Sequence, residues 1–343
     1  MGHRCNYVSR RNGDLQLIYS HWGALTVPRD FFWGLAAAEE FLDEHQPCDD
    51  SHWLDDVFGE GGAALDHDNK VLTIDGGEIY GHARDLLFEL MRAVWARDGY
   101  SVRDAESFVD IATAVGLPAS TVEAEHIPAE PIDVTDDACV GRDDGYFDTL
   151  VVVDGVIRFC AARKCVLELG PARVGELASL PDLAEAKQLS ATRPPPSWES
   201  ERRSMRERLL DAIVIDTRER RVDASLYELS RGTSRRHYQE RWPGYQVTRV
   251  TLDDALGRLG HPDLPPSPPA PVPSIEDQLG EIEQYLFGTR SDPIDLMTVL
   301  IQQYPGGVVN PHAMVSPVDG RPDNGPHANA LFREVLSEVL AKR

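Results

Sequence analysis

The feature that most constrains this fold is a recurring pair of short apolar segments joined by a tight turn. Asn12-Gly13 and Asp154-Gly155 separate two such pairs, and both dipeptides accept the positive φ angles that a two-residue hairpin turn demands. Strands joined this locally are expected to pair antiparallel. The predicted hairpins cover residues 7–19, 71–80, 149–160 and 212–224, and single strands are predicted over 165–169 and 245–250.

Helical periodicity occupies the segments between the hairpins. In residues 82–97, Leu86, Leu87, Leu90 and Met91 recur at the spacing of one broad apolar helix face. Further helices are predicted over 36–45, 101–114, 198–210, 275–288, 294–304 and 329–343. Hairpins that alternate with helices favour the α+β class. We predict an antiparallel sheet built from β-hairpins, helices packed on one of its faces, and a small helical appendage at the C-terminus.

Proline-rich segments suggest how the chain is divided. Seven prolines lie within residues 260–274, which predicts an extended, semi-rigid linker because proline cannot donate a backbone hydrogen bond. We therefore predict an acidic α+β domain over 1–190, an Arg-rich α+β segment of the same fold over 198–259, and a helical C-terminal segment over 275–343. Apart from the hairpin pattern, no internal repeat is predicted.

The negative charge is concentrated in the N-terminal half. The chain has a formal net charge of −23, and residues 1–150 contain 30 Asp and Glu residues against 10 Lys and Arg residues. Direct nucleic-acid or anionic-lipid binding by this stretch is not expected, because the phosphates would be repelled. An N-terminus without an apolar signal segment, the absence of any membrane-length apolar run and an excess of Arg over Lys predict a bacterial, cytoplasmic protein without membrane contact.

His45, Cys48 and His52 are the best candidates for metal ligands. His, Cys and carboxylate side chains are natural Zn²⁺ ligands, but this spacing matches no standard zinc pattern and Pro47 interrupts the helix that would align them. We therefore interpret the segment as a polar helix end followed by an acidic loop, and predict neither a metal nor a cofactor.

The cysteines and arginines allow similar ordinary interpretations. Cys160 and Cys165 are predicted to be buried thiols, because no second cysteine pair completes a four-ligand site. The arginines of the C-terminal half could contact an anion, or could pair with the acidic residues of the chain itself. These arginines are Arg202, Arg203, Arg206, Arg208, Arg218, Arg220, Arg221, Arg231, Arg235 and Arg236.

Polar side chains gather at the end of the first hairpin. Strand alternation places Tyr19 and His21 on one face, where they could act as an acid/base pair with Arg4 nearby. The opening residues 1–4, together with the hairpin end at residues 19–23, resemble a set of bacterial and phage proteins that begin Met-Gly-x-Arg and place a His-Trp pair after the first hairpin. That resemblance implies a structural N-terminus and proximity of Arg4 to His21.

Two functional hypotheses follow from these features. The first is a regulatory interaction protein of the inhibitor, immunity or adaptor type, whose acidic surface engages a protein with a basic surface. The candidate binding residues are Asp49, Asp50, Asp55 and Asp56. The alternative is an enzyme with its site at His21, Tyr19 and Arg4, assisted by a carboxylate or a metal. The carboxylate candidates are Asp30 and Asp49.

Overall fold

The computed structural model divides the chain into two compact units. Unit 1 comprises residues 1–124 and 271–343, and unit 2 comprises residues 125–270. The structure describes residues 3–49, 52–125, 127–128, 133, 147–161, 163–192, 209–226, 229, 232–268, 271–288 and 326–343. Over these ranges, no helix combines the length and the apolar character needed to cross a membrane.

Unit 1 is built on a six-stranded mixed sheet with the order β3-β2-β1-β4-β5-β6. Its strands are β1 (Cys5–Arg11), β2 (Asp14–Ser20), β3 (Pro47–Cys48), β4 (Gly61–Asp66), β5 (Val71–Asp75) and β6 (Ser101–Asp104). Its helices are α1 (Val27–Asp30), α2 (Leu35–Asp43), α3 (Gly81–Ala96), α4 (Val109–Ala114) and a 3-10 turn at Ala119–Thr121.

Unit 2 is built on a five-stranded mixed sheet with the order β11-β10-β9-β7-β8. Its strands are β7 (Thr149–Val153), β8 (Val156–Cys160), β9 (Asp211–Asp216), β10 (Arg221–Ala224) and β11 (Gln246–Arg249). Its helices are α5 (Arg163–Glu168), a 3-10 helix at Pro171–Ser179, α6 (Leu183–Thr192), α7 (Gly232–Arg241) and α8 (Leu252–Leu259).

The C-terminal helices belong to the core of unit 1. Helices α9 (Ile275–Phe287) and α10 (Pro326–Leu340) place Leu286 and Phe332 among the fully or almost fully buried side chains. These two side chains share one apolar cluster with residues of α1, α2 and α3. Residues 275–343 therefore do not form a separate appendage. The chain passes from unit 2 to unit 1 within the predicted linker 260–274, and the first unit ends at 124 instead of 190.

The two units repeat the same strand connectivity. Each unit contains two successive antiparallel hairpins, which are β1–β2 and β4–β5 in unit 1 and β7–β8 and β9–β10 in unit 2. The first strands of the two hairpins pair in parallel, β1 with β4 and β7 with β9. A final strand then joins parallel to the end of the second hairpin, as β6 in unit 1 and β11 in unit 2. When the two units are aligned on their hairpin turns, the parallel pairing of the first hairpin with the second is shifted by two residues in unit 2 relative to unit 1. This internal repeat was not predicted from the sequence.

Matched side-chain contacts reinforce the correspondence. The indole of Trp95, at the end of α3, donates a 2.8 Å hydrogen bond to the carbonyl of Phe31. The indole of Trp242, directly after α7, donates a 2.7 Å hydrogen bond to the carbonyl of Leu167. Each tryptophan also packs edge-on against a tyrosine that follows a glycine of positive φ and precedes the last strand. The motif is Trp-x-x-x-Gly-Tyr-x-Val in unit 1 and Trp-Pro-Gly-Tyr-x-Val in unit 2.

The structure corrects the predicted sheet. Both sheets are mixed, because each second hairpin joins the first through a parallel strand pair, so a purely antiparallel sheet was wrong. Helices also cover both faces. In unit 1, α3 shares an apolar cluster with Tyr7 on one face, whereas α4 packs with Val8 on the other. A mixed α/β architecture with helices on both faces therefore replaces the one-sided arrangement.

Three predicted elements take a different form. Strand β5 pairs with β4 and not with residues 78–80, because the two glycines after Asp75 have positive φ and lead the chain into α3. Residues 165–169 lie mostly in helix α5, and residues 101–104 form strand β6 ahead of α4. A short apolar segment is compatible with the residue spacing of a helix or of a strand, and tertiary contacts decide which one forms. The predicted helix 294–304 and most of 198–210 lie outside the described residues.

Candidate functional site

Tyr19 and His21 meet as their strand positions predict. The Tyr19 hydroxyl lies 2.7 Å from Nδ1 of His21, and the rings meet edge-on. His21 is buried, and Tyr19 is partly buried. Burial raises the pKa of Tyr19, and the nearby Arg4 opposes this rise. The two side chains form a shielded hydrogen-bonded pair whose phenol is protonated at neutral pH.

The remaining groups at this hairpin end hold the N-terminal segment in place. The amide of His3 donates a 3.0 Å hydrogen bond to the carbonyl of His21. The Arg4 guanidinium lies 5.0 Å from the ring centre of Phe58, a cation–π contact. His3 lies 3.4 Å from a carboxylate oxygen of Glu60. Backbone pairing and aromatic packing together gather these side chains at one end of the sheet.

The predicted acidic binding residues do not form one exposed surface. Asp49 is exposed and lies 2.7 Å from Nδ1 of His52. Asp55 accepts hydrogen bonds from two amides of its own loop. Asp56 is 2 % exposed and accepts a 3.0 Å hydrogen bond from the amide of Ala124. Asp55 and Asp56 thus stabilise the loop, Asp56 presents no charge to a partner, and Asp50 lies outside the described residues.

The three metal candidates lie in separate environments. His45 is partly buried beside Phe41, and its Nδ1 lies 2.8 Å from the Phe41 carbonyl. Burial lowers the pKa of His45. Cys48 lies in strand β3 opposite Leu17, whereas His52 is exposed and paired with Asp49. In the part of the chain that the structure describes, no group of three or more His, Cys, Asp or Glu side chains is placed to hold a metal ion.

The predicted thiol pair and the arginine segment take structural positions in unit 2. Cys160 is buried in β8 and Cys165 is partly buried in α5, and neither forms a disulfide with a described residue. Arg221 pairs with the buried Asp223 at 3.0 Å. Arg235 donates to the Leu229 carbonyl. Some of these arginines therefore bond within unit 2, while Arg202, Arg203, Arg206, Arg208 and Arg231 lie outside the described residues.

An exposed acidic surface lies instead on helix α2. Its outward residues Glu40, Asp43 and Glu44 have no ion-pair or hydrogen-bond partner for their carboxylates among the described residues. These three residues are termed the α2 acidic face below. The neighbouring Glu39 differs because it pairs with Arg11 of β1. Sequence reasoning placed this helix correctly and missed its acidic face, although the Glu-Glu-x-x-Asp-Glu pattern over residues 39–44 was a usable signal.

A polar cleft of about 430 Å³ lies between α2 and the first hairpin. One wall is the hairpin and the other is α2, with the turn between β4 and β5 at one end. The polar side chains that line it are Ser9, Arg11, Asn12, Asp14, Gln16, Glu39, Asp43 and His67. Its size falls within the range of about 300–1,000 Å³ that is typical of ligand pockets.

A hydrogen-bonded chain orders one end of this cleft. Nη2 of Arg11 donates to a carboxylate oxygen of Glu39 and lies 3.3 Å from Nε2 of His67. Nδ1 of His67 lies 2.9 Å from the Tyr100 hydroxyl. A guanidinium can only donate, so Nε2 accepts, and the proton of a neutral ring lies on Nδ1. Burial, reinforced by the Arg11 charge, lowers the pKa of His67, so the ring is neutral at pH 7.

A second group of ionisable side chains lies within unit 1 near the end of β5. Burial raises the pKa of Asp75 to about 6, although the Gly76 amide and the Arg84 charge oppose that rise. Arg84 binds both carboxylate oxygens of Asp104, at 2.9 and 2.6 Å. The predicted enzyme carboxylate Asp30 is 1 % exposed and accepts a 2.7 Å hydrogen bond from Thr26. Asp30 is thus enclosed in the core of unit 1.

Comparisons with known proteins return no match. No family model, no curated protein and no solved structure is similar to this chain. Function must therefore be inferred from the charge and geometry of the chain. Unit 1 contains 32 Asp and Glu residues against 14 Lys and Arg residues, whereas unit 2 contains 25 against 20. The excess acidic charge is a property of unit 1, which also contains the α2 acidic face and the cleft.

Proposed function

We propose that this chain is a bacterial, cytoplasmic interaction protein, of the inhibitor, immunity or adaptor type, whose acidic surface binds a protein with a basic surface. The observation that carries the proposal is the α2 acidic face, three exposed carboxylates that have no ion-pair or hydrogen-bond partner in the described part of the chain. Uncompensated like charges repel one another, so a basic partner would relieve that repulsion on binding. Complementary fields also accelerate the encounter of two proteins.

The proposal is tested by partner capture with charge-reversal variants. One variant replaces Glu40, Asp43 and Glu44 by Lys, and the control replaces Glu281 and Glu283, two exposed acids of α9, by Lys. Wild type and control are expected to retain the same basic protein from a lysate of the source cells, and the α2 variant is expected to lose it. Circular dichroism and thermal unfolding check that both variants fold.

Salt dependence with the purified partner then provides the decisive measurement. Exposed charges are screened beyond about 8–10 Å near physiological ionic strength, so the association rate should fall steeply between low and physiological salt. The α2 variant should associate slowly at every salt concentration. A partner whose binding ignores both salt and the α2 substitutions would refute the proposal.

An enzymatic function remains the second candidate because the Tyr19 hydroxyl and His21 Nδ1 are 2.7 Å apart in a shielded position. Such a pair could transfer a proton to or from a bound substrate. Native mass spectrometry of the purified protein should then detect a small molecule that is lost on His21→Gln substitution. Retention of the same molecule by His21→Gln and Tyr19→Phe variants would exclude this site.

A further inference from the structure

We infer that the cleft between α2 and the first hairpin is a binding site for a basic side chain, an arginine or a lysine of the protein partner. This inference rests on the proposed function and identifies where the partner's cation is held.

Two carboxylates that line the cleft have no partner among the residues that the structure describes. Asp14 begins strand β2 and Asp43 ends helix α2, so they approach the cleft from different elements. Neither carboxylate has a hydrogen bond or an ion pair with any described residue. A guanidinium or ammonium group in the cleft would donate hydrogen bonds to both carboxylates, and hydrogen bonds between ionised groups are stronger than those between neutral ones.

The positive charge already in the cleft is engaged. The Arg11 guanidinium pairs with Glu39 and donates to His67, and burial together with the Arg11 charge lowers the pKa of His67. The lining therefore contains three carboxylates against one guanidinium. The field in the cleft attracts a cation, and the ordered Arg11–His67 side leaves Asp14 and Asp43 as the open ligands.

Unit 2 shows that the fold itself does not require these polar residues. The hairpin turns align Asn12-Gly13 with Asp154-Gly155, which have matching positive φ angles. The strand positions of Ser9, Arg11, Asp14 and Gln16 then correspond to Val151, Val153, Val156 and Arg158.

In unit 2 the β7 residues on this side of the hairpin pack against apolar side chains. Val151 is fully buried, and Val153 packs against the same apolar cluster, which includes Val174 and Leu177 of the 3-10 helix. In unit 1, the equivalent strand positions line an open polar cleft. Unit 2 thus packs apolar side chains at the positions of Ser9 and Arg11 and has an exposed valine, Val156, at the position of Asp14. The fold therefore does not require polar side chains at these three positions, and the polar lining calls for an explanation other than folding. A ligand of opposite charge supplies that explanation.

The test uses a defined probe on the full chain. An acetylated, amidated Gly-Arg-Gly peptide is titrated into isotopically labelled protein, and the backbone amide resonances are followed by NMR. The matched control peptide contains citrulline, the neutral isostere of arginine. We expect saturable shifts at Asn12, Gly13, Leu42 and Asp43 with the arginine peptide and none with the citrulline peptide.

Two variants separate the cleft from the rest of the acidic surface. The double substitution Asp14→Asn with Asp43→Asn should weaken peptide binding about tenfold, since it removes both unpaired carboxylates. The double substitution Glu40→Gln with Glu44→Gln removes the same charge from the outer side of α2 and should change the affinity less than twofold. Unchanged amide spectra outside the cleft show that each variant is folded.

The failure of this inference differs from the failure of the proposed function. Saturable peptide binding that is weakened by the Glu40 and Glu44 substitutions and not by those at Asp14 and Asp43 would show that the cleft is not the binding site. That result would leave the proposed acidic binding surface intact. Equal binding of the citrulline peptide, or no saturable binding, would also overturn the cleft. Partner binding that ignores both salt and the α2 substitutions would overturn the proposed function, whatever the result with the peptide.

Discussion

Replacing Asp75 by Asn should stabilise the protein at neutral pH. The carboxyl pKa of Asp75 is raised from 3.8 to about 6 because burial disfavours its charge. The folded state therefore binds the proton more tightly than the unfolded state. Stability from this group is complete below pH 3.8 and is lost as the pH rises through 6. At neutral pH the ionised side chain opposes folding, and a neutral amide should remove that opposition.

The magnitude follows from the pKa difference. A shift from 3.8 to about 6 corresponds to at most about 3 kcal/mol of unfolding free energy. Most of the experimentally accessible change falls between pH 5 and 7, where the linkage relation gives about 1.3 kcal/mol. Asparagine can still accept the hydrogen bond of the Gly76 amide, and Arg84 keeps both bonds to Asp104.

The assay is urea unfolding of the wild type, Asp75→Asn and the exposed control Glu40→Gln at several pH values from 5 to 7.5. The stability advantage of Asp75→Asn over the wild type should grow with pH across this window, by about 1.3 kcal/mol between pH 5 and 7. The control should show no comparable growth. An advantage that is flat or that shrinks as the pH rises would refute the reasoning, because it would mean that the folded state does not favour the protonated carboxyl.

Three further substitutions test the fold. Phe332→Ala should lower the free energy of unfolding by about 3–5 kcal/mol because it opens a cavity in the core of unit 1. Leu340→Ala, at an exposed position of the same helix, should lower it far less in the same denaturant unfolding assay. Equal small losses would mean that α10 is an appendage. Trp242→Phe should cost about 1–3 kcal/mol in thermal or denaturant unfolding, because the Leu167 carbonyl loses its buried donor; no loss would show that this bond is dispensable. Asp56→Ala should cost about 1–3 kcal/mol and speed hydrogen exchange at the Ala124 amide, whereas a surface carboxylate would give neither effect.

Local chemistry made the hairpins and several helices predictable. The Asn-Gly and Asp-Gly turns have the positive φ values that their composition requires, and the strands on either side pair in register around them. The apolar face of α3 is buried as its periodicity predicts. Tyr19 and His21 share a face because side chains two apart in a strand point the same way. These features depend on neighbours in the sequence.

The site was less predictable, because exposure and pairing depend on distant residues. The acidic segment 49–56 was predicted to be a binding surface, yet Asp55 and Asp56 accept hydrogen bonds from backbone amides. The amide that donates to Asp56 belongs to the distant residue Ala124. The cleft joins Arg11, Glu39 and His67 from three separate elements. No periodicity in the sequence places a turn residue, a strand residue and a helix residue around one space.

What the sequence determined by itself was therefore the set of local elements and the excess of acidic charge, since turn conformation, strand alternation and helix periodicity act over a few residues. Tertiary structure alone decided the parallel pairing of the hairpins, the return of α9 and α10 to the core of unit 1, and the repeated architecture of the two units. These features arise from contacts between residues far apart in the chain. Burial of apolar surface stabilises these contacts only once the elements have packed together.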